Sequence, residues 1–124
     1  MRRPWVVAAV SLVLLAGCGG DRHHPVRSVT VRAGQPLRVS AREYYFDPAK
    51  VVAGAGRLEV VLSNAGSLAH DIRITRVGKD VGGTPAFEGG RRTARVSLTK
   101  GRYRFLCTVG DHAKLGMVGT IDVR

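Results

Sequence analysis

The sequence predicts an all-β protein, a Greek-key antiparallel β-sandwich of seven or eight strands, and two observations carry that prediction. From Val26 onward, apolar and polar residues alternate with a period of two, and no run has the spacing of an amphipathic helix. Turns that contain glycine or proline separate the runs at the short intervals typical of sandwiches. A chain of 124 residues has room for one such domain.

The predicted strands follow one another through residues 26–124, which we assign to the domain. Most are separated by short turns such as Asp47-Pro48 and Lys100-Gly101. The stretch from Gly78 to Gly90 lacks alternation and is predicted to be a long loop that crosses one end of the sandwich. The predicted strands are Val26–Arg32, Leu37–Phe46, Lys50–Val52, Leu58–Ser63, Asp71–Thr75, Thr93–Thr99, Tyr103–Cys107 and Val118–Val123.

Residues 1–17 are predicted to be a cleaved export signal. Arg2 and Arg3 precede an uncharged apolar stretch, Trp5 to Ala16, which is shorter than the ~20 residues of a membrane-spanning helix. The signal ends at Leu15-Ala16-Gly17-Cys18, which resembles the bacterial lipobox, in which the cysteine receives a lipid and becomes the first mature residue. The alternative is ordinary cleavage after small residues, with Cys18 incidental.

Residues 18–25 are short, polar and glycine-containing, and they are predicted to be a flexible tether between the lipid and the domain. His23 and His24 lie in this tether, where a solvated pair is the expectation rather than a metal site. The protein is therefore expected to be exported and held by its lipid at the periplasmic or extracytoplasmic face of a membrane.

The chain is strongly basic, with a formal net charge of +11. Removal of residues 1–17 takes away two of the 20 basic residues and none of the nine acidic ones, which leaves +9. Such a charge favours nucleic acid, anionic headgroups or acidic protein partners, and export makes nucleic acid the least suitable of the three. The basic residues are scattered along strands, as on solvated faces.

Only two cysteines are present, and the predicted compartment is oxidising. If Cys18 carries lipid, Cys107 has no partner, which leaves a buried inert thiol or a metal ligand. A Cys18–Cys107 disulfide is the third option. Enzymatic function is not expected, because the sequence offers no phosphate-binding loop, nucleophile set or paired carboxylates.

The segment from Phe105 to Thr120 places a thiol, an imidazole and a thioether in one loop. Cys107 alternates with Tyr103 and Phe105, so it leaves the strand on the core side, and a glycine-containing turn then brings His112 and Met117 back to the same point. A fourth candidate, His70, lies far upstream between two predicted strands that reach the same end of a sandwich.

Two imidazoles and a thiolate with a weak thioether form the blue-copper arrangement, a trigonal His₂Cys set with a long axial methionine. Zinc would need a fourth strong ligand, and none is offered. Each residue alone has a plainer interpretation: a surface histidine, a small buried hydrophobe, or core filler. Their joint occurrence predicts one type 1 copper held by His70, Cys107, His112 and Met117.

The sequence resembles the cupredoxin family, which includes plastocyanin and azurin. The resemblance rests on an Asn-x-Gly turn before the upstream histidine, on Gly-x-Tyr-x-Phe-x-Cys at Gly101 to Cys107, and on Tyr44-Tyr-Phe-Asp-Pro48. Four residues separate Cys107 from His112 and four separate His112 from Met117, which matches the longer copper loop of auracyanin and rusticyanin. The proline that members often carry before the loop histidine is absent here.

The resemblance implies a monomeric one-electron carrier at the cell envelope, whose redox partners dock near the edge of His112. It also implies that Asp71 donates its backbone N–H to the cysteine sulfur and that its side chain links to Thr108. Alternative functions are an extracytoplasmic copper carrier or buffer, an accessory copper subunit of an oxidase or reductase, and a metal-free envelope lipoprotein.

Overall fold

The computed structural model describes residues 24–124, so the predicted signal, Cys18 and His23 lie outside the described residues. Within that range the chain forms ten strands in two stacked sheets. The strands are β1 Ser28–Val31, β2 Leu37–Arg42, β3 Tyr45–Asp47, β4 Lys50–Ala53, β5 Gly56–Asn64, β6 Arg73–Arg76, β7 Lys79–Gly83, β8 Arg91–Leu98, β9 Gly101–Leu106 and β10 Val118–Val123.

One sheet has six strands in the order β1-β4-β10-β9-β6-β7, and the other has four in the order β3-β2-β5-β8. The alternation in the sequence decides which side chains face the space between the sheets. In β2, for example, Leu37, Val39 and Ala41 are buried, while Arg38 and Arg42 face solvent. Burying a leucine or valine side chain stabilises the fold by about 1.5–3 kcal/mol, so these alternating faces drive the sheets together.

The sandwich prediction is confirmed, with differences in detail. The predicted strand Leu37–Phe46 is divided into β2 and β3 by a turn at Glu43 and Tyr44, and β7 lies inside the segment predicted as a loop. Three strand pairs are parallel, β1 with β4, β4 with β10, and β2 with β5, so the sheets are mixed rather than antiparallel. Alternation reveals the face of a side chain but carries no information on the direction of the neighbouring strand.

The buried core is drawn from Val31 to Val123, and every strand lies between Ser28 and Val123. Residues 24–124 therefore contain a core of their own. Among these residues no helix is long and apolar enough to cross a membrane.

The topology brings the end of β9, the starts of β6 and β10, and the segment around Phe87 to one end of the sandwich. β9 lies between β6 and β10, with Leu106 paired to both Arg73 and Val118, so the end of β9 meets the starts of both neighbours. His70 stands just before β6, where its backbone exchanges two hydrogen bonds with Phe87, of 3.1 and 3.0 Å. The residues just before β6, just after β9 and just before β10 therefore lie close together at this end of the sandwich.

Candidate metal centre

Three of the four predicted ligands meet at this end of the sandwich. The thiol sulfur of Cys107 lies 3.5 Å from Nδ1 of His112 and 3.9 Å from Nδ1 of His70. The three donor atoms all lie within 4.8 Å of one another. Cys107 and His70 are fully buried, and His112 retains 8% of its surface.

The spacing of these donors fits a single metal ion. Imidazole nitrogen binds first-row metals at about 2.0 Å and thiolate sulfur at about 2.3 Å, so a nitrogen and a sulfur at trigonal angles lie roughly 3.7 Å apart. The two sulfur–nitrogen distances, 3.5 and 3.9 Å, bracket that value. A buried thiolate with two imidazoles is a soft to borderline donor set, which suits copper.

Met117 is fully buried and is tied to both loop ligands through its backbone. Its carbonyl accepts the N–H of Cys107 at 3.1 Å, and its own N–H donates to the carbonyl of His112 at 3.1 Å. His112 in turn donates its N–H to Val109 at 3.1 Å. The loop is thus closed by its own hydrogen bonds, while the axial role of the Met117 thioether remains a prediction.

The Cys107 sulfur lies in a site that favours the thiol without a metal. Burial raises the pKa of Cys107, because the thiolate loses its water, whereas hydrogen bonds from the backbone N–H groups of Asp71 and Val109 oppose that rise. The positive charge of a bound cation would compensate the thiolate for the water that it loses on burial, and the two N–H donors would add to that stabilisation. The sulfur is therefore prepared for ligation rather than for surface reactivity.

Asp71 and Thr108 link the two ligand-bearing segments. The backbone N–H of Thr108 donates to Oδ1 of Asp71 at 2.6 Å, and the Thr108 hydroxyl donates to Oδ2. Asp71 is buried, so this carboxylate is held by charge-assisted hydrogen bonds in a region with little water. The contact joins the residue after His70 to the residue after Cys107.

Asn64 fixes the turn that precedes His70. Its amide group donates to the carbonyls of Leu68 at 2.8 Å and Phe87 at 2.7 Å, and its Oδ1 accepts the N–H of Gly66 at 3.0 Å. Since β5 ends at Asn64, these bonds attach the ligand-bearing turn directly to the four-stranded sheet.

Glu43 is a residue of the site that we did not predict from the sequence. Its Oε1 lies 3.0 Å from Nε2 of His70 and accepts the N–H groups of Ser67 at 2.8 Å and Leu68 at 2.9 Å. These interactions, the Leu68 N–H first, lower the pKa of Glu43 to about 2. One signal was available: a period of two places Glu43 on the buried face of Leu37–Phe46, where a charged residue needs a partner.

The surroundings of the site include the ring of Tyr44, and the adjacent Tyr45 contacts the tether. The ring of Tyr44 packs against His112 with centroids 4.8 Å apart, which restricts the loop histidine from the side. His24, which we predicted to be solvated in the tether, is exposed and stacks on Tyr45 with ring centroids 3.8 Å apart. The cluster of donor atoms described above does not include His24.

No protein-family model and no curated protein matches the sequence, but solved structures match the fold. Auracyanin from the photosynthetic bacterium Roseiflexus castenholzii aligns with a TM-score of 0.64 at 19% identity, over 72% of this chain and 96% of auracyanin. Rusticyanin from Thiobacillus ferrooxidans aligns with a TM-score of 0.64 at 21% identity, over 78% of this chain and 82% of rusticyanin. Reduced rusticyanin aligns with a TM-score of 0.62 at 22% identity, over 78% of this chain and 84% of that protein.

These alignments cover most of each chain, and they show that this protein has the cupredoxin fold. The resemblance inferred from the sequence is thereby confirmed for the fold. Auracyanin and rusticyanin, a copper protein, are also the two proteins that the sequence analysis named for the spacing of Cys107, His112 and Met117.

Proposed function

We propose that the protein binds one type 1 copper ion through His70, Cys107 and His112, with Met117 as the axial ligand, and that it carries single electrons. The observation that supports this most directly is the buried group of one thiol and two imidazole nitrogens within 4.8 Å. Bound copper would supply the one-electron couple. No residue arrangement for transforming a substrate is needed for this function.

The chain's own contribution is to hold the donors still. His70 is attached to Phe87 and Glu43, Cys107 and His112 are connected through the backbone of Met117, and Asp71 joins the two segments. Donors that keep their positions in both oxidation states need little rearrangement when an electron arrives or leaves. The small exposed fraction of His112 provides the contact through which electrons would pass.

A copper titration of the metal-free domain, followed by visible absorption and voltammetry, tests this function. We expect an intense blue band that saturates at one equivalent and a reversible one-electron wave. Rapid loss of copper to a chelator would support a copper carrier or buffer instead, and stable association with an oxidase or reductase would support an accessory subunit. Absence of copper binding would select a metal-free envelope protein.

The surface around His112 is the proposed docking patch for redox partners. Leu68 and Leu115 are 43% and 58% exposed, which makes an apolar rim suited to short encounters. The nearby charges of Lys114 and Asp111 pair with each other at 3.1 Å, so this pair adds no net charge beside Leu115. The excess basic charge of the chain would favour acidic partners at longer range.

Leu115→Lys tests the patch without an identified partner. When two copies exchange an electron, their patches approach each other, so an added lysine on each should slow self-exchange several-fold at low salt, with less effect at high salt. Line broadening in mixtures of reduced and oxidised protein measures the rate. Val77→Lys is the matched control, because Val77 is 95% exposed in the turn after β6, at the end opposite the site. Equal slowing in both variants would contradict the docking patch.

We propose further that the protein is exported and anchored through lipid on Cys18. The charged and apolar start of the chain and the lipobox-like Leu15-Ala16-Gly17-Cys18 support this proposal. Radiolabelled palmitate should label the wild-type protein, whereas Cys18→Ala should abolish labelling because acylation needs that sulfur. Cys107→Ser is the matched control and should retain the label. Label retained in Cys18→Ala would show that Cys18 is incidental.

A further inference from the structure

We propose that Glu43 is the positioning residue of the upstream ligand: its carboxylate accepts the Nε2 proton of His70, which fixes the ring with Nδ1 directed at Cys107. The proposal deepens the proposed function, on which its copper-dependent part rests. Its metal-free part concerns only the ring of His70 and can be tested without copper.

The two nitrogens of His70 have different neighbours. Nε2 lies 3.0 Å from Oε1 of Glu43, and Nδ1 lies 3.9 Å from the sulfur of Cys107. A carboxylate can only accept, so the hydrogen bond requires the proton on Nε2, and in a neutral imidazole this leaves the lone pair on Nδ1. Because the nitrogens diverge from opposite sides of the ring, Glu43 is an orienting partner and not a ligand of the same ion.

The carboxylate is itself held in place by the turn that carries His70. Besides the histidine, Oε1 accepts the N–H groups of Ser67 and Leu68, so one oxygen receives three donors. A glycine is required beside it, because a Cβ on Gly66 would lie only 2.7 Å from the carboxyl carbon and from Oε2. Glu43, the turn and His70 therefore form one hydrogen-bonded unit.

The unit also joins parts of the fold that are far apart in sequence. Glu43 lies in the turn between β2 and β3, and Ser67, Leu68 and His70 lie between β5 and β6. Asn64 attaches the same turn to Phe87. His70 is fully buried. Its ring contacts Glu43 through Nε2 and faces Cys107 through Nδ1.

The negative charge has a second consequence once copper is bound. An anionic acceptor makes a ligating imidazole more basic and stabilises the more highly charged metal state, so Glu43 should favour Cu(II) and lower the reduction potential. Loss of such partners typically weakens metal affinity by about 10–100-fold. In Glu43→Ala we expect the affinity for Cu(II) to decrease by about 10–100-fold and the reduction potential to rise.

Three variants separate position from charge. Glu43→Gln keeps an oxygen that can accept the Nε2 proton but removes the charge, whereas Glu43→Ala removes both. Gly66→Ala leaves Glu43 in the sequence but forces its carboxylate away, so it should reproduce Glu43→Ala. Glu59→Gln is the matched control, because it removes the same charge from a different place. Glu59 lies on β5, where its carboxylate pairs with Arg95 at 2.9 Å.

The first measurement is long-range ¹H–¹⁵N correlation of the metal-free domain at pH about 8, above the ordinary imidazole pKa of about 6.5. We expect a single Nε2-protonated tautomer of His70 in the wild type, in Glu43→Gln and in the control, and a mixture in Glu43→Ala and Gly66→Ala. An Nδ1-protonated ring in the wild type, or an unchanged tautomer in both alanine variants, would overturn the proposal. If Glu43→Ala does not fold, Gly66→Ala decides this point.

The second measurement is voltammetry of the copper-loaded proteins. Glu43→Gln should have a higher potential than the wild type, and Glu59→Gln should not. Equal potentials in all three would contradict the role of the charge. If the wild type binds no copper, the proposed function fails, while the tautomer of His70 still decides whether Glu43 positions the ring.

Discussion

Replacement of Cys107 by serine is expected to abolish the blue colour of the copper-loaded protein completely. The colour requires a copper–thiolate bond, and a serine hydroxyl remains protonated and binds copper poorly. Loss of an outer partner already costs about 10–100-fold in metal affinity, so loss of the thiolate should cost more than ~100-fold. Copper titrations followed by visible absorption and by competition with a chelator measure both effects.

The fold should survive this change. The hydrogen bond between the N–H of residue 107 and the carbonyl of Met117 involves only the backbone, so it does not depend on the side chain at that position. The thermal transition of the metal-free variant, compared with metal-free wild type, provides the control for folding. A variant that remained blue would contradict the assignment of Cys107 as ligand.

Gly119→Ala is expected to have the largest effect on stability. Gly119 lies in β10 opposite Phe105 of β9, where a Cβ would stand 2.6 Å from the carbonyl oxygen of Ala49 and closer still to the Phe105 ring. Both neighbours are fixed, one as backbone and one as a fully buried side chain. Overpacking of this kind costs about 2–3 kcal/mol, which lowers the Tm of a domain of this size by roughly 10–20 °C.

Thermal unfolding of the metal-free domain measures this loss. Gly54→Ala is the matched control, because Gly54 is exposed after β4 and a Cβ there would meet no atom within 4 Å. Its Tm should stay close to that of the wild type. An equal Tm for Gly119→Ala and wild type would show that β4, β9 and β10 can separate more easily than their packing indicates.

Much of the fold could be predicted because burial follows the period of two. Val118–Val123 was predicted to the residue, and Lys50–Val52 and Leu58–Ser63 differ from the observed strands by a few residues. The division of Leu37–Phe46 could not be predicted, since Tyr44 and Tyr45 continue a pattern typical of strands. β7 could not be predicted either, because its glycines and charges resemble those of a loop, and its pairing with β6 supplies the missing stabilisation.

The site was predictable to the extent that its residues are chemically rare in this chain. A single cysteine and a single methionine after residue 18, each in a loop near the last strand, pointed to ligation, and the structure brings Cys107, His112 and His70 together. The partner of His70 was not recognised: the period of two places Glu43 on the buried face of Leu37–Phe46, but no local pattern indicates which residue its carboxylate meets.

The sequence by itself determined the alternating faces of the strands, the turns between them and the chemical identity of the donors, because these depend on residues close together along the chain. Only the tertiary structure decided which strands run parallel and that Glu43 lies behind His70 across 27 positions of the chain. The reason is that hydrogen bonds between strands and between loops form where packing of the two sheets brings their partners together. The local preferences of residues do not specify which distant residues become partners.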